Sequence, residues 1–548
     1  MANKKTKATS FDVKSEAKPI GPSVEMKIET AGKIGLFGAI AIIIGTVFGV
    51  GIFLKNNGIF KNNNGNPWGV LLSWLLVIII AFGTAFSYGE ITRVRTRTAN
   101  SGLSGWSERY VGYNFGRFLK IMYPFFYYAI YLFVLSTFFA EALFCINPNF
   151  IQPDSTAPEI TGQSMWSIWG IGFGVSLLML MANWINGYFV SKSMTPISVI
   201  KFLPIFMVII FGIWGGVQSH GGYFNPDNYN KEQYQSGDFS AISIFNSLPA
   251  IMFAFDSFLI VGNVSENVKN PKKNVPISII LSMIICGVFY ILVTVSQLLC
   301  GYGNPYGIFQ KIFNNETLKT TFTVIISVFM SISLFGCVTS LSAAFINTTQ
   351  AAINEEIIIG SKMMKKITNG SKNTKTAGFL MSIIIISFWF LVVGVISAVL
   401  NTDQIVDGLS NICVVLIFTV YGFVALMSVV NRFTHRVPQS EVSYQKGQVF
   451  FAVIGALGCF LVPLYQMIYA FIIQVAQNPN ATYDTWGLFW DGEQIKYFVA
   501  CLIFWVGVVM FIGFPFLNDF LIKLINKNYS QALLWQKVKV NNKIKVKK

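Results

Sequence analysis

Charge is what this sequence lacks most. Only 12% of its 548 residues are charged and 53% are hydrophobic, whereas a soluble chain carries about 25% charged residues. So few charges cannot cover a surface that faces water. The composition therefore excludes a soluble enzyme, a secreted disulfide scaffold and a disordered chain.

Residues that bind metals or form disulfides are also scarce. The two histidines, His220 and His435, fall in loops that the apolar runs described below place on opposite sides of a membrane. Seven cysteines lie in or beside apolar runs without paired spacing, which is typical of small core residues. The sequence holds no nucleophile–base pair and no glycine-rich phosphate loop ending in Gly-Lys-Ser/Thr. We therefore expect no enzyme, no ATP-driven machine, no cofactor and no metal.

Long apolar runs are abundant instead. Each is about 20 residues long, enough to cross a hydrocarbon core of roughly 30 Å as a helix. The sequence predicts one all-α polytopic membrane protein with about twelve spans, at 34–54, 68–90, 118–145, 166–186, 196–217, 241–267, 276–300, 321–353, 378–400, 408–430, 447–473 and 494–520.

The net charge of +16 follows the membrane topology. With the N-terminus in the cytoplasm, 33 of the 40 Lys and Arg residues fall in cytoplasmic segments, as the positive-inside rule requires. This pattern favours a multi-pass protein of the cell membrane over a nucleic-acid binder. The basic tails, 1–33 and 521–548, would both be cytoplasmic and would touch at most anionic lipid headgroups.

The first span carries an irregularity. It reads IGLFGAIAIIIGTVFGVGIFLKNNGIF over 34–60, with Gly45, Gly49 and Gly51 crowding its middle. Each glycine weakens a helix by about 1 kcal/mol relative to alanine. Backbone groups freed in lipid must face protein, water or a ligand. The pattern predicts either a break that binds something or close packing of helices through small residues.

The sixth span carries a second irregularity. Asp256 lies near its middle beside Ser257, at a depth where a carboxylate costs at least about 2.5–3.5 kcal/mol and indicates a functional site. We expect one half-helix to end near Phe253 and another to begin near Phe258, because Asp and Ser compete for backbone hydrogen bonds. Asp256 either meets a substrate ammonium or a proton, or bonds backbone N–H groups of the break.

The positions of the two irregularities suggest a binding site. Five spans separate them, so the two broken spans cross the membrane in opposite directions. Paired broken helices in inverted halves are typical of a transporter whose substrate binds near the midplane. The N–H groups of half-helices attract an anion and the carbonyl ends attract a cation. An α-amino acid, with its carboxylate and ammonium, fits both.

These segments resemble the amino acid–polyamine–organocation (APC) superfamily. GTVFGVGIF at 45–53 looks like its first-helix motif, FAFDSFLIVGNVSENVKNPKKNVP at 253–276 like its sixth, and SVIKFLPIF at 198–206 like its fifth. FAFDSFLIVGN is most like bacterial members of the L-type amino acid transporter group. The resemblance implies a LeuT-type five-plus-five inverted repeat with broken helices 1 and 6. Its repeats would occupy 34–217 and 241–430, and two further helices 447–520.

The resemblance also implies roles for individual residues. Backbone N–H groups of the first break would hold the substrate carboxylate, and carbonyls of Val47, Phe253 and Asp256 would take its α-amino group. Phe253 would be the outer gate. Val50 stands where many members carry serine, so carboxylate binding would depend on the backbone. The implied substrate-binding residues are Thr46, Val47, Gly49, Val50, Gly51, Phe253, Ala254, Phe255, Asp256 and Ser257.

Lys201 is the only basic residue that the predicted spans place deep in the bilayer. Its side chain could snorkel to the headgroups, act as a fixed structural cation, or carry a proton, since a desolvated lysine loses its proton readily. In family members a lysine of the fifth helix occupies the space of a sodium ion. The expected function is secondary transport of amino acids by alternating access, through proton-coupled symport or exchange. A channel or an amino-acid sensor on the same fold is the alternative, and the oligomeric state is not predicted.

Overall fold

A computed structural model describes residues 34–53, 55–94, 96, 102–147, 162–228, 237–300, 305–368, 374–400, 404–477 and 497–525. Within these ranges the secondary structure is helical, apart from one isolated pair of bridged residues. The α-helices are Leu36–Val47, Val50–Phe53, Lys55–Asn62, Pro67–Ile91, Gly102–Tyr110, Tyr113–Met122, Ala129–Phe144, Gly162–Ile200, Phe202–Gln218, Ala241–Phe255, Pro271–Cys300, Pro305–Ile312, Glu316–Asn354, Ser361–Ile367, Thr374–Trp389, Val395–Leu400, Gln404–Thr434, Gln448–Leu464, Val475–Gln477 and Tyr497–Ile525.

Twelve stretches of the described chain are long and apolar enough to cross a membrane, when one bent pair is taken as a single span. The prediction of an all-α protein with about twelve spans is therefore confirmed. We number them in chain order as span 1 (Leu36–Val47 with Gly51–Asn62), then spans 2 to 12: Pro67–Ile91, Tyr113–Phe144, Met165–Gly187, Pro196–Gln218, Ala241–Ser265, Pro271–Cys300, Glu316–Asn354, Thr374–Val399, Gly408–Thr434, Gln448–Gln477 and Phe504–Ile525.

The spans alternate in direction, so their ends form two faces. We call the face at which Ile34 lies the N-face and the opposite one the far face. Short helices, such as Gly102–Tyr110 and Ser361–Ile367, connect spans at the N-face. The N-terminal and C-terminal tails, on which the predicted topology partly depends, lie outside the described residues.

Span 1 breaks where the glycines predict. Its first helix ends at Val47, Phe48 is extended (φ −71°, ψ 101°), and the helix resumes at Val50 with a bend of 44° between the two parts. The span then continues to Asn62 rather than ending at residue 54. Lys55, expected in an outer loop, begins the last helical segment and is only 5% exposed. Lys201 is thus not the only buried lysine.

Span 6 breaks two residues later than predicted. Its α-helix continues to Phe255, because the apolar side chains of residues 253–255 do not compete for backbone hydrogen bonds. Asp256 is extended, and Ser257 adopts a left-handed conformation with φ 68°. The second part, Ile260–Asn267, is a 3-10 helix, so the expected start near Phe258 was also too early.

The two broken spans are joined to each other at two levels. At the N-face the backbone N–H of Lys269 donates to the carbonyl of Ile34 (2.8 Å), which gives the isolated bridge between Ile34 and Val268. At the breaks a Cβ on Gly51 would lie 2.4 Å from the Cα of Ala254, so only glycine allows this approach. The crossing of spans 1 and 6 therefore depends on a residue without a side chain.

Candidate functional site

The carbonyl ends of the two first half-helices meet at one hydroxyl group. Tyr290, buried on span 7, places its hydroxyl oxygen 2.8 Å from the carbonyl oxygen of Val47 and 2.8 Å from that of Ala254. Both carbonyls lie at the negative end of a half-helix. Sequence reasoning missed Tyr290, because nothing in the apolar run of span 7 marks it as a partner of the breaks.

The predicted carbonyl ligands lie at or beside the two breaks. Val47 is at the break, but the Phe253 carbonyl already accepts the backbone N–H of Asp256 (3.3 Å). The carbonyl that pairs with Val47 belongs to Ala254. The Phe253 carbonyl keeps a second lone pair, so its assignment to the amino-group site stays a prediction.

The predicted anion-binding N–H groups lie in the turn of span 1. Gly49 is the bend between the two helices, and Val50 and Gly51 begin the second, where first-turn N–H groups lack helical partners. The Thr46 hydroxyl shares its hydrogen between the carbonyls of Ile42 and Ile43, so its hydrogen bonding stays within its own helix. The Val50 side chain lies outside the described part of the structure.

Asp256 is held by tyrosines from two other spans. The hydroxyl of Tyr127 on span 3 donates to Oδ2 (2.8 Å), and that of Tyr421 on span 10 donates to Oδ1 (2.9 Å). Both oxygens of the carboxylate thus accept a hydroxyl hydrogen, and both alternatives for Asp256 remain open. Sequence reasoning missed both tyrosines. The run YPFFYYAIY at 123–131 gave a signal, since residues 123, 127 and 131 share one helical face.

Lys201 points to the break of span 1. The residue is 2% exposed, and its Nζ donates to the carbonyl of Gly45 and lies 3.0 Å from the sulfur of Cys337 on span 8. Cys337 in turn faces the carbonyls of Gly45, Thr46 and Phe48 at 3.6–3.9 Å. The snorkelling alternative is wrong, because the ammonium is directed into the protein. The proton carrier and the fixed cation remain.

Phe253 is buried between spans 1 and 3, on the far-face side of the breaks. Its ring stacks on Tyr131 of span 3 at a centroid distance of 5.4 Å, and the Nζ of Lys55 lies 4.7 Å from its centroid. Lys55 donates to Ser410 Oγ (2.6 Å) and Asn411 Oδ1 (2.8 Å) on span 10. These two hydrogen bonds connect the far-face part of span 1 to span 10 next to the Phe253 ring.

A small cavity of about 20 Å³, with room for about one water molecule, lies on the N-face side of the span 6 break. It is lined by side chains of spans 3, 6 and 10 and of the helix Gly102–Tyr110, among them Tyr123, Tyr127, Ser257, Asn263 and Tyr421. The cavity and the Asp256 cluster share Tyr127 and Tyr421, so this space adjoins the groups that contact the span 6 break.

A bundle of about twelve spans, with two broken helices meeting at buried polar groups, defines a multi-pass membrane protein of the permease class. A family model described as amino acid permease matches residues 34–490, and the chain belongs to this family. The resemblance to the APC superfamily is thereby confirmed. The family and its relatives are transporters rather than enzymes.

Individual relatives are distant. Amino acid transporter protein 6 of Caenorhabditis elegans is 27% identical over 48% of this chain and 48% of its own length. The serine/threonine exchanger SteT of Bacillus subtilis (strain 168) is 22% identical over 73% and 84%. The aspartate-proton symporter of the same organism is 25% identical over 48% and 47%. The chain thus spans about half the length of two of these relatives and most of the third.

Proposed function

We propose that this protein carries free α-amino acids across the cell membrane by alternating access, with both termini in the cytoplasm. The observation that carries the proposal is the meeting of the two broken spans, where the carbonyls of Val47 and Ala254 converge on one hydroxyl. The distribution of lysine and arginine supports the orientation, with the N-face as the cytoplasmic face. The transporters among the relatives support the substrate class.

Recognition uses the backbone rather than charged side chains. The N–H groups of Gly49, Val50 and Gly51 bind the substrate carboxylate, and the carbonyl ends of the half-helices bind its ammonium. A solute that lacks either group loses half of the site. The bulk of the side chain is accommodated outside this pair of contacts.

Coupling runs through Lys201. Its ammonium donates to the carbonyl of Gly45, two residues before Val47, so loss of its proton changes the charge next to the substrate site. The relatives include both an exchanger and a proton symporter. We infer that Lys201 carries the proton when uptake is driven by a proton gradient. No observation on the described residues favours the channel or the sensor.

The test is uptake into proteoliposomes of the twenty amino acids, with and without a pH gradient and with and without internal amino acid. A transported amino acid is then compared with its methyl ester, which keeps the ammonium and removes the carboxylate charge. We expect uptake of the free amino acid and at least a tenfold lower rate for the ester. Equal rates would overturn the proposal, and so would leakage without saturation, which indicates a channel.

A further inference from the structure

An open groove lies at the N-face between the end of span 10 and the start of span 11, remote from the breaks. Its volume is about 760 Å³. One wall carries Arg432 and Lys446 with the ring of Tyr444, and the other carries the apolar side chains of Val449, Phe450 and Val453. The proposed transport function uses none of these residues.

The polar wall has an excess of positive charge. The Arg432 guanidinium lies over the Tyr444 ring at 4.6 Å, and one of its NH2 groups donates to Glu90 (2.9 Å). Its Nε is buried without a hydrogen-bond partner in the described part of the chain. Lys446 is exposed at the rim. Arg93, just after span 2, donates to Ser443 (3.0 Å), so two arginines lie near the fully buried Glu90 and Lys446 adds a third positive charge at the rim.

Span 11 adds a second positive feature. Its helix begins at Gln448, directly after Gly447, and no side chain caps its N-terminus. The first-turn N–H groups and the helix dipole favour an anion at this end. The cations and the helix end therefore converge on the mouth of the groove.

The apolar wall does not stop at the groove. Phe450 is 64% exposed, and exposed side chains continue along the same side of span 11 through the bilayer depth: Val453, Leu457, Leu461 and Leu464. Their spacing of three or four residues keeps them on one helical face. A ligand that fits the whole surface has an anionic head at the N-face and a long apolar tail along span 11.

We propose that this groove binds an anionic phospholipid, with its phosphate between Arg432, Lys446 and the start of span 11 and an acyl chain along the apolar face of span 11. Basic pockets beside membrane spans bind such headgroups, and each nearby lysine or arginine strengthens the attraction about fivefold. A soluble phosphate would use the polar wall but leave the apolar wall exposed. The bound lipid would hold spans 2, 10 and 11 together at the N-face.

The experiment uses the purified full-length protein in nanodiscs and in neutral detergent, titrated with phosphatidylglycerol, phosphatidylcholine or glycerol 3-phosphate. Retained lipid is counted by native mass spectrometry, and the unfolding temperature is measured in parallel. We expect phosphatidylglycerol to be retained and to raise the unfolding temperature. The variant Lys446→Gln should bind it about fivefold more weakly.

The matched control is Lys362→Gln, an exposed lysine on the helix Ser361–Ile367 at the same face but outside the groove. It should bind phosphatidylglycerol as the wild type does. Equal losses in both variants, equal retention of phosphatidylcholine, or a full effect of glycerol 3-phosphate would each overturn the proposal. None of these readouts depends on transport, so the outcome is independent of the transport proposal.

Discussion

Gly49 and Gly51 in the span 1 break have different neighbours, although they are only two residues apart. A Cβ on Gly49 would lie 3.1 Å from the Cys337 sulfur, which is a side-chain atom that a substitution can remove. A Cβ on Gly51 would lie 2.4 Å from the Cα of Ala254 and 3.1 Å from its backbone nitrogen. No substitution of Ala254 removes those atoms.

This difference gives a paired prediction. Gly49→Ala should reduce uptake, and Cys337→Ala in the same chain should restore most of it, because the contact disappears. Gly51→Ala should reduce uptake at least tenfold, and Ala254→Gly should not restore it, since overpacking against backbone costs about 1–3 kcal/mol. Uptake is measured per molecule in the membrane. Rescue of both glycine variants would show that the backbone crossing tolerates a Cβ.

Lys201 supports a second prediction at the scale of a residue. Lys201→Arg should lose uptake driven by a proton gradient, since a guanidinium does not deprotonate in proteins. Lys201→Ala should lose it too, but should keep exchange of internal for external amino acid, which needs no proton cycle. Both are measured with radiolabelled amino acid in proteoliposomes with an imposed pH gradient or with preloading. Normal proton-driven uptake by Lys201→Arg would contradict the proton-carrier role and would favour Lys201 as a fixed structural cation.

At the scale of an element, the far-face part of span 1 and the Phe253 ring lie against each other beside span 10. Lys55 contacts both the ring and the two span 10 acceptors. If Phe253 is the outer gate, as we propose, Phe253→Ala should lower uptake at least about tenfold, because the ring that closes the far-face side is removed. Phe206→Ala is the control, since that ring lies half-exposed on span 5. Similar uptake by the two variants would contradict a gate at Phe253, provided that both reach the membrane in equal amounts.

The sequence predicts an element well when the residues that determine it are close together along the chain, and poorly when they are far apart. The break of span 1 follows from three glycines in seven residues, a local signal, and the structure confirms it. The end of the span 6 helix was misplaced because the effect of Asp256 begins only at its own position. Tyr290 and Lys55 could not be predicted, since Val47 and Ser410, one partner of each, lie hundreds of residues away along the chain and only the packed bundle brings them together.

For the whole molecule, a buried ion pair connects an early span to the last one. Arg117 on span 3 donates to Asp519 on span 12 (2.6 Å), with both side chains at most 1% exposed. Asp519→Ala should lower the free energy of unfolding by about 3–5 kcal/mol, because an uncompensated arginine remains buried. The double variant Arg117→Met, Asp519→Leu should recover most of it. Thermal unfolding in detergent checks this, and equal losses in the single and double variants would contradict it.

The Tyr290 hydroxyl has fewer hydrogens to donate than it has acceptors. A phenol has one, yet two acceptors, Val47 and Ala254, face it at the same distance. When the hydrogen points at one carbonyl, the other meets only the lone pairs of the phenol oxygen. Rotation of the hydroxyl hydrogen about the phenol C–O bond therefore moves the hydrogen bond from one carbonyl to the other, and so between spans 1 and 6. An ammonium group brings three hydrogens, enough to serve both carbonyls at once, so an arriving substrate ends the competition between the halves.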